Sequence, residues 1–266
     1  MNEAPHPSRG PGSGLQSETA AQQPARPHAS LWSTLRQFPA VTSLLIITAV
    51  FYLLQVLSSL LLGVDIVLAY GAKARELTAA GQLWRIITPI FVHGGLWHLG
   101  VNMYSLYALG FAVEKFFGSR RMLVIYLLSG ICGVATSQAF SAHPSVGASG
   151  AIFGLLGAMV AFLYMHRRLF GQTGWRQFGS LVLVAVLNLL VGLMPGVDNL
   201  AHVGGLVGGL VLTVTLGPHL EAFWVGQDRV QLVERRSWKQ VRWGLLLAGI
   251  IILALAVLSA FSTLGG

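Results

Sequence analysis

Seven apolar stretches dominate the chain, at 41–63, 95–117, 122–140, 149–165, 178–194, 199–216 and 243–261. Each is near the roughly 20 residues that a helix needs to cross a bilayer. Composition agrees, with 54% hydrophobic and only 10% charged residues and a mean hydropathy of +0.68. A soluble domain is about a quarter charged, and a fold of this size could not hide so much apolar surface behind so few charges. An ordinary cytoplasmic enzyme, a disulfide-stapled secreted protein and a disordered chain are therefore excluded. The expected fold class is an all-α polytopic membrane protein, with a six-helix core over 41–217 and a seventh transmembrane helix within 241–266.

The remaining segments follow from composition. Residues 1–40 read as a disordered cytoplasmic tail, because five of the ten prolines fall before residue 30 among Gly, Ser, Gln and Ala. No apolar core of a signal peptide is present there, and Glu3, Glu18 and few basic residues argue against a transit peptide. Residues 218–240 read as a cytoplasmic linker. Cys132 lies in an apolar run and reads as a small buried hydrophobe.

Basic residues set the orientation. With a cytoplasmic N-terminus, 14 of the 17 Lys and Arg residues fall on one side, and only Lys73, Arg75 and Arg85 on the other. This also explains the net charge of +8 without nucleic acid, for which no basic stripe interleaved with aromatics exists. Short tails without a targeting signal point to a bacterial inner membrane. Spans two, four and six then start at the outer face, and their first turns lie at one depth.

Polar groups inside a bilayer are costly and tend to be functional. His98 opens span two, with Asn102 four residues on and on the same helical face. Gly147-Ala148-Ser149-Gly150 opens span four, and Asn199-Leu200-Ala201-His202 opens span six. A serine and a histidine at matched depth can form a nucleophile–base pair. A nearby histidine and asparagine can donate to a developing oxyanion. Gly150, Gly154 and Gly157 on span four, and Gly204, Gly205, Gly208 and Gly209 on span six, would let these helices pack with little between them. Taken singly, each feature has a packing explanation. A membrane serine commonly bonds its own backbone, and a lone histidine can bridge two helices. Their coincidence on three helices points to a site.

Other chemistries lack their residues. No His-Glu-x-x-His zinc motif occurs. The carboxylates with strongly apolar flanks are Glu114 and Asp198, and two-aspartate proteolysis lacks its second aspartate. The elbow Gly-x-Ser-x-Gly fails because position 151 is alanine and its surroundings are membrane helix.

The pattern resembles the rhomboid family of intramembrane serine proteases. The markers occur in that family's order over 41–217: Trp84-Arg85, His93, His98-x-x-x-Asn102, Glu114 before Gly118-Ser119, Gly147-Ala148-Ser149-Gly150, and Ala201-His202-x-x-Gly205-x-x-x-Gly209. The resemblance implies a dyad in which Ser149 is the nucleophile and His202 the base. It implies an oxyanion hole of His98, Asn102 and the Ser149 N–H. It places Phe153 against the base (plain helix packing being the other reading) and Asn199 close to it, and leaves Asp198 outside the mechanism. It also implies that 64–94 is a partly embedded loop seated by Trp84 and Arg85, and that span five with the loop near 194–198 forms a substrate gate. Substrates would be single-pass transmembrane proteins cut in or near the membrane, with no metal, nucleotide or redox cofactor. Helix-weakening residues would ease unwinding of the substrate into the site.

Two rival functions remain at this point. A non-catalytic rhomboid-like protein that binds membrane clients typically loses the serine or the histidine, and this chain retains both. A transporter is commonly built from repeated halves, and no such repeat is evident.

Overall fold

The computed structural model describes residues 36–225, 229–237, 239–246, 249, 250 and 254. The expected tail, except for 36–40, and most of the expected seventh span lie outside the described residues.

The first long helix, α1 (Pro39–Leu62), starts with proline at its first position and ends at Gly63, which takes φ 72°. Its orphan N-terminal amides are capped from another helix. The Glu114 carboxylate accepts from the N–H of Ala40 at 2.9 Å and of Val41 at 2.8 Å. The long connection that follows is folded. It contains α2 (Ile66–Gly71), whose N-terminus is capped by Asp65, α3 (Arg75–Ala79), and two 3₁₀ turns, Leu83–Ile86 and Thr88–Ile90.

Five longer helices follow. They are α4 (Leu96–Phe117), α5 (Ser119–Phe140), α6 (Ser149–Met165), α7 (Arg167–Val191) and α8 (Asn199–Leu216). The expected ends of spans four and six coincide with α6 and α8. Span five differs: its helix begins at Arg167, well before residue 178, and is broken at Gly171 (φ 54°, ψ −144°). Arg167, Arg168 and Arg176 keep that first part polar, so hydropathy alone could not locate its start.

By length and composition, α1, α5, α7 and α8 can cross a membrane, and α6 is a shorter apolar helix of 17 residues. α4 has the length, but His98, Asn102, Glu114 and its tyrosines dilute its hydropathy. The chain is thus an all-α polytopic membrane protein. α6 forms its centre, packed against α4, α5, α7 and α8, with every residue from Gly150 to Met159 buried. A helix apolar all round belongs in such a position. α7 is peripheral and buries only Gly174 and Ala185. The outward faces of α1 and α7 expose Leu53, Leu60, Leu187 and Leu190, an apolar surface suited to lipid.

One element was not anticipated. Within 218–240, β1 (Leu220–Val225) and β2 (Arg229–Glu234) pair antiparallel, with Leu220 opposite Glu234. The hairpin is tied to the bundle. The Leu220 N–H donates to His166 Nε2 at 2.9 Å, and Arg121 pairs with Glu234 at 2.6 Å. Arg236 Nη1 donates to the Gly217 carbonyl at 2.6 Å and Nη2 to that of Val214 at 2.9 Å, so it caps the end of α8.

Candidate active site

Glycine contacts set the geometry. A Cβ on Gly205 would collide with the Gly150 carbonyl, and one on Gly209 with the Gly154 carbonyl. The backbones of α6 and α8 therefore touch, as small-residue faces allow. Ser149 is the first residue of α6, and His202 lies in the first turn of α8. The close approach brings His202 Nε2 to 2.8 Å from Ser149 Oγ. Phe153, one turn beyond Ser149, stacks on the imidazole with ring centroids 4.3 Å apart and planes 11° apart. His202 is buried, whereas Ser149 is half-buried.

The loop before the serine is held from three sides. Gly147 takes φ 125°, and its N–H donates to the Pro89 carbonyl at 2.8 Å. The His98 ring covers Gly147 so closely that a Cβ there would lie 2.6 Å from His98 Cε1. The Ala148 N–H donates to His93 Nε2 at 3.4 Å. His93 is itself fixed by Gln55, which donates to its carbonyl at 2.9 Å and accepts from its N–H at 3.0 Å. Asn102 is buried beside the same loop, and its amide donates to the His98 carbonyl at 2.9 Å. The Ser149 N–H belongs to the first helical turn, where intrahelical acceptors are missing. His98 and Asn102 thus lie against Gly147, two residues before Ser149.

The remaining expected residues occupy definite places. Arg85 is buried and donates to the carbonyls of Ala72 at 2.7 Å and Ala69 at 2.9 Å, and Trp84 Nε1 donates to Tyr70 O at 3.1 Å. Both anchor the end of α2. Asn199 Nδ2 donates to the Leu189 carbonyl at 3.1 Å, which ties α8 to α7. Asp198 Oδ1 caps α8 by accepting from the Ala201 N–H at 3.1 Å, and Oδ2 accepts from Ser137. Among the described residues, His202 Nδ1 has no hydrogen-bond partner. Among the described residues no cluster of His, Cys, Asp or Glu could hold a metal ion.

Gln55, Ser137 and Lys73 bear on this region, and sequence reasoning did not single them out. The one available signal was the rarity of polar residues in apolar runs.

A helical membrane bundle with a part-buried serine–histidine pair between two glycine-faced helices defines the structural class. Residues 80–219 match the rhomboid domain. The chain is similar to the rhomboid protease GluP of Bacillus subtilis (strain 168), at 40% identity over 66% of this chain and 36% of the relative. It is similar to RHOMBOID-like protein 5 of Arabidopsis thaliana, at 42% identity over 55% of this chain and 48% of the relative. A third relative, Inactive RHOMBOID-like protein 8 of Arabidopsis thaliana, is 36% identical over 52% of this chain and 39% of its own. The chain spans less than half the length of these three relatives. It belongs to the rhomboid family.

Proposed function

We propose that this protein is an intramembrane serine endopeptidase that hydrolyses peptide bonds in or near the transmembrane segment of single-pass membrane proteins. The observation that carries this reading is the 2.8 Å contact between Ser149 Oγ and His202 Nε2, braced by the stacked Phe153 ring. A relative named as inactive makes family membership alone insufficient, so the argument rests on the site.

In this reading His202 takes the Ser149 proton as the hydroxyl attacks the scissile carbonyl, then returns it to the leaving amine. The Ser149 N–H, His98 and Asn102 receive the oxyanion, with the Asn102 amide turning from the His98 carbonyl toward it. Water then cleaves the acyl-enzyme. The unpartnered His202 Nδ1 supports a dyad rather than a triad. The positive-inside distribution supports a cytoplasmic N-terminus and a site open to the outer face of the membrane. The exposed α7 and the exposed Leu193, Met194 and Val197 support lateral substrate entry there.

The test is labelling of the purified protein by a fluorophosphonate. Covalent labelling that disappears in Ser149→Ala supports the reading. A folded native protein that neither labels nor cleaves a single-pass substrate would leave the client-binding alternative.

A further inference from the structure

Lys73 is fully buried in the first connection, although it belongs to a loop. A buried ammonium needs partners, and those of Lys73 lie on both halves of the site. Its backbone N–H donates to the Ser145 carbonyl at 2.9 Å, forming an isolated antiparallel bridge four residues before Ser149. Its Nζ donates to the Ser141 carbonyl at 3.0 Å and to Ser137 Oγ at 2.7 Å. Ser137 Oγ in turn donates to Asp198 Oδ2. Asp198 caps α8 with its other oxygen, and its carbonyl accepts from the His202 N–H at 3.3 Å.

We infer that Lys73, through Ser137 and Asp198, is a positioning residue that sets the approach of His202 to Ser149. One side chain thereby references the turn that carries the base, while its own backbone references the segment that leads into the nucleophile. Burial pushes the Lys73 ammonium below its ordinary value and the Asp198 carboxylate opposes that fall. The serine hydroxyl between the two charges transmits their attraction as two directed hydrogen bonds. The chain also engages both Asp198 oxygens with Ser137 and Ala201, which leaves His202 Nδ1 to no carboxylate.

This inference rests on the serine–histidine reading above. Its test uses the full-length protein in detergent, with kcat and KM measured on a single-pass substrate and the fluorophosphonate labelling rate measured in parallel. Ser137→Ala removes the relay and little volume. It is expected to lower kcat and the labelling rate about tenfold while KM stays within about twofold, because misplacement of the base acts on the chemical step. Asp198→Asn keeps the shape and one cap acceptor and is expected to do the same. The double variant is expected to be no worse than either alone, since both break one chain. Native kcat in folded Ser137→Ala and Asp198→Asn would overturn the positioning role while leaving the dyad intact. So would a rise in KM with kcat retained, or full additivity. If Ser137→Ala does not fold, Asp198→Asn decides alone. A native protein without Ser149-dependent labelling fails the proposed function itself, and this inference falls with it.

Discussion

His202 Nε2 stands 2.8 Å from Ser149 Oγ, and the two residues reach each other from helices whose backbones meet at paired glycines. The distance is a hydrogen bond already made in the resting protein. In the proposed function, only a proton shift separates it from an activated nucleophile.

Removing either partner should therefore abolish the chemistry. Ser149→Ala and His202→Ala are each expected to lower kcat/KM on a model single-pass substrate by at least about 10³-fold. Asp198→Ala is expected to lower it only about tenfold, because Asp198 acts on the first turn of α8 and not on the imidazole. A loss with Asp198→Ala as deep as that with His202→Ala would establish a triad.

The glycine contact makes its own prediction. Gly205→Ala drives a methyl into the Gly150 carbonyl, so α6 and α8 must separate. A cost of about 2–4 kcal/mol is expected, together with loss of labelling. Gly100→Ala is the control, because no atom of the described residues lies within 4 Å of its new Cβ. It should be neutral or stabilising by up to about 1 kcal/mol. Thermal unfolding of both variants in detergent distinguishes the two effects.

Glu114 joins the C-terminal end of α4 to the N-terminus of α1. Glu114→Gln leaves one acceptor for the amides of Ala40 and Val41 and for Ser119 Oγ, which the carboxylate now serves together. A loss of about 1–3 kcal/mol is expected in the same unfolding assay. Ser119→Ala removes only one of these bonds and should cost less.

The hairpin predicts a pH dependence. Burial alone would raise the Glu234 carboxyl, but the N–H groups of His219 and Arg236 and the Arg121 guanidinium outweigh it and hold the group below its ordinary 4.5. A depressed carboxyl stabilises the folded state fully above its unfolded value. That contribution is lost as pH falls through the lower folded value. The Glu234 contribution to hairpin docking should therefore be constant near neutrality and weaken below about pH 4.5, and Glu234→Gln should remove that part, leaving the loss that follows protonation of His166, whose Nε2 accepts the Leu220 N–H. Hydrogen exchange of the Leu220 and His219 amides across pH 3–7 is the measurement.

Sequence alone placed α6 and α8 to the residue, because their apolar runs are bounded by the polar motifs at Ser149 and Asn199. It also nominated Ser149, His202, His98 and Asn102, because polar groups stand out against an apolar background. The start of α7 was hidden because its arginines break the hydropathy signal and its helix is interrupted at Gly171. The hairpin carried a signal that went unused: two runs rich in aromatic and β-branched residues flank Gly-Gln-Asp at 226–228. The Lys73–Ser137–Asp198 chain carried no signal of its pairing. Its members are separated by more than 60 positions at each step, and only the fold makes them neighbours.

The capping of α8 by Asp198 at one end and by Arg236 at the other has a mechanical meaning. A rod clamped at both tips can flex or turn, but it resists sliding along its own axis. The depth of the imidazole in the membrane is thereby tied to both rims of the protein. Under the proposed function, admission of a bulky substrate would fall to the exposed α7, which would divide substrate capture and alignment of the reacting atoms between different helices.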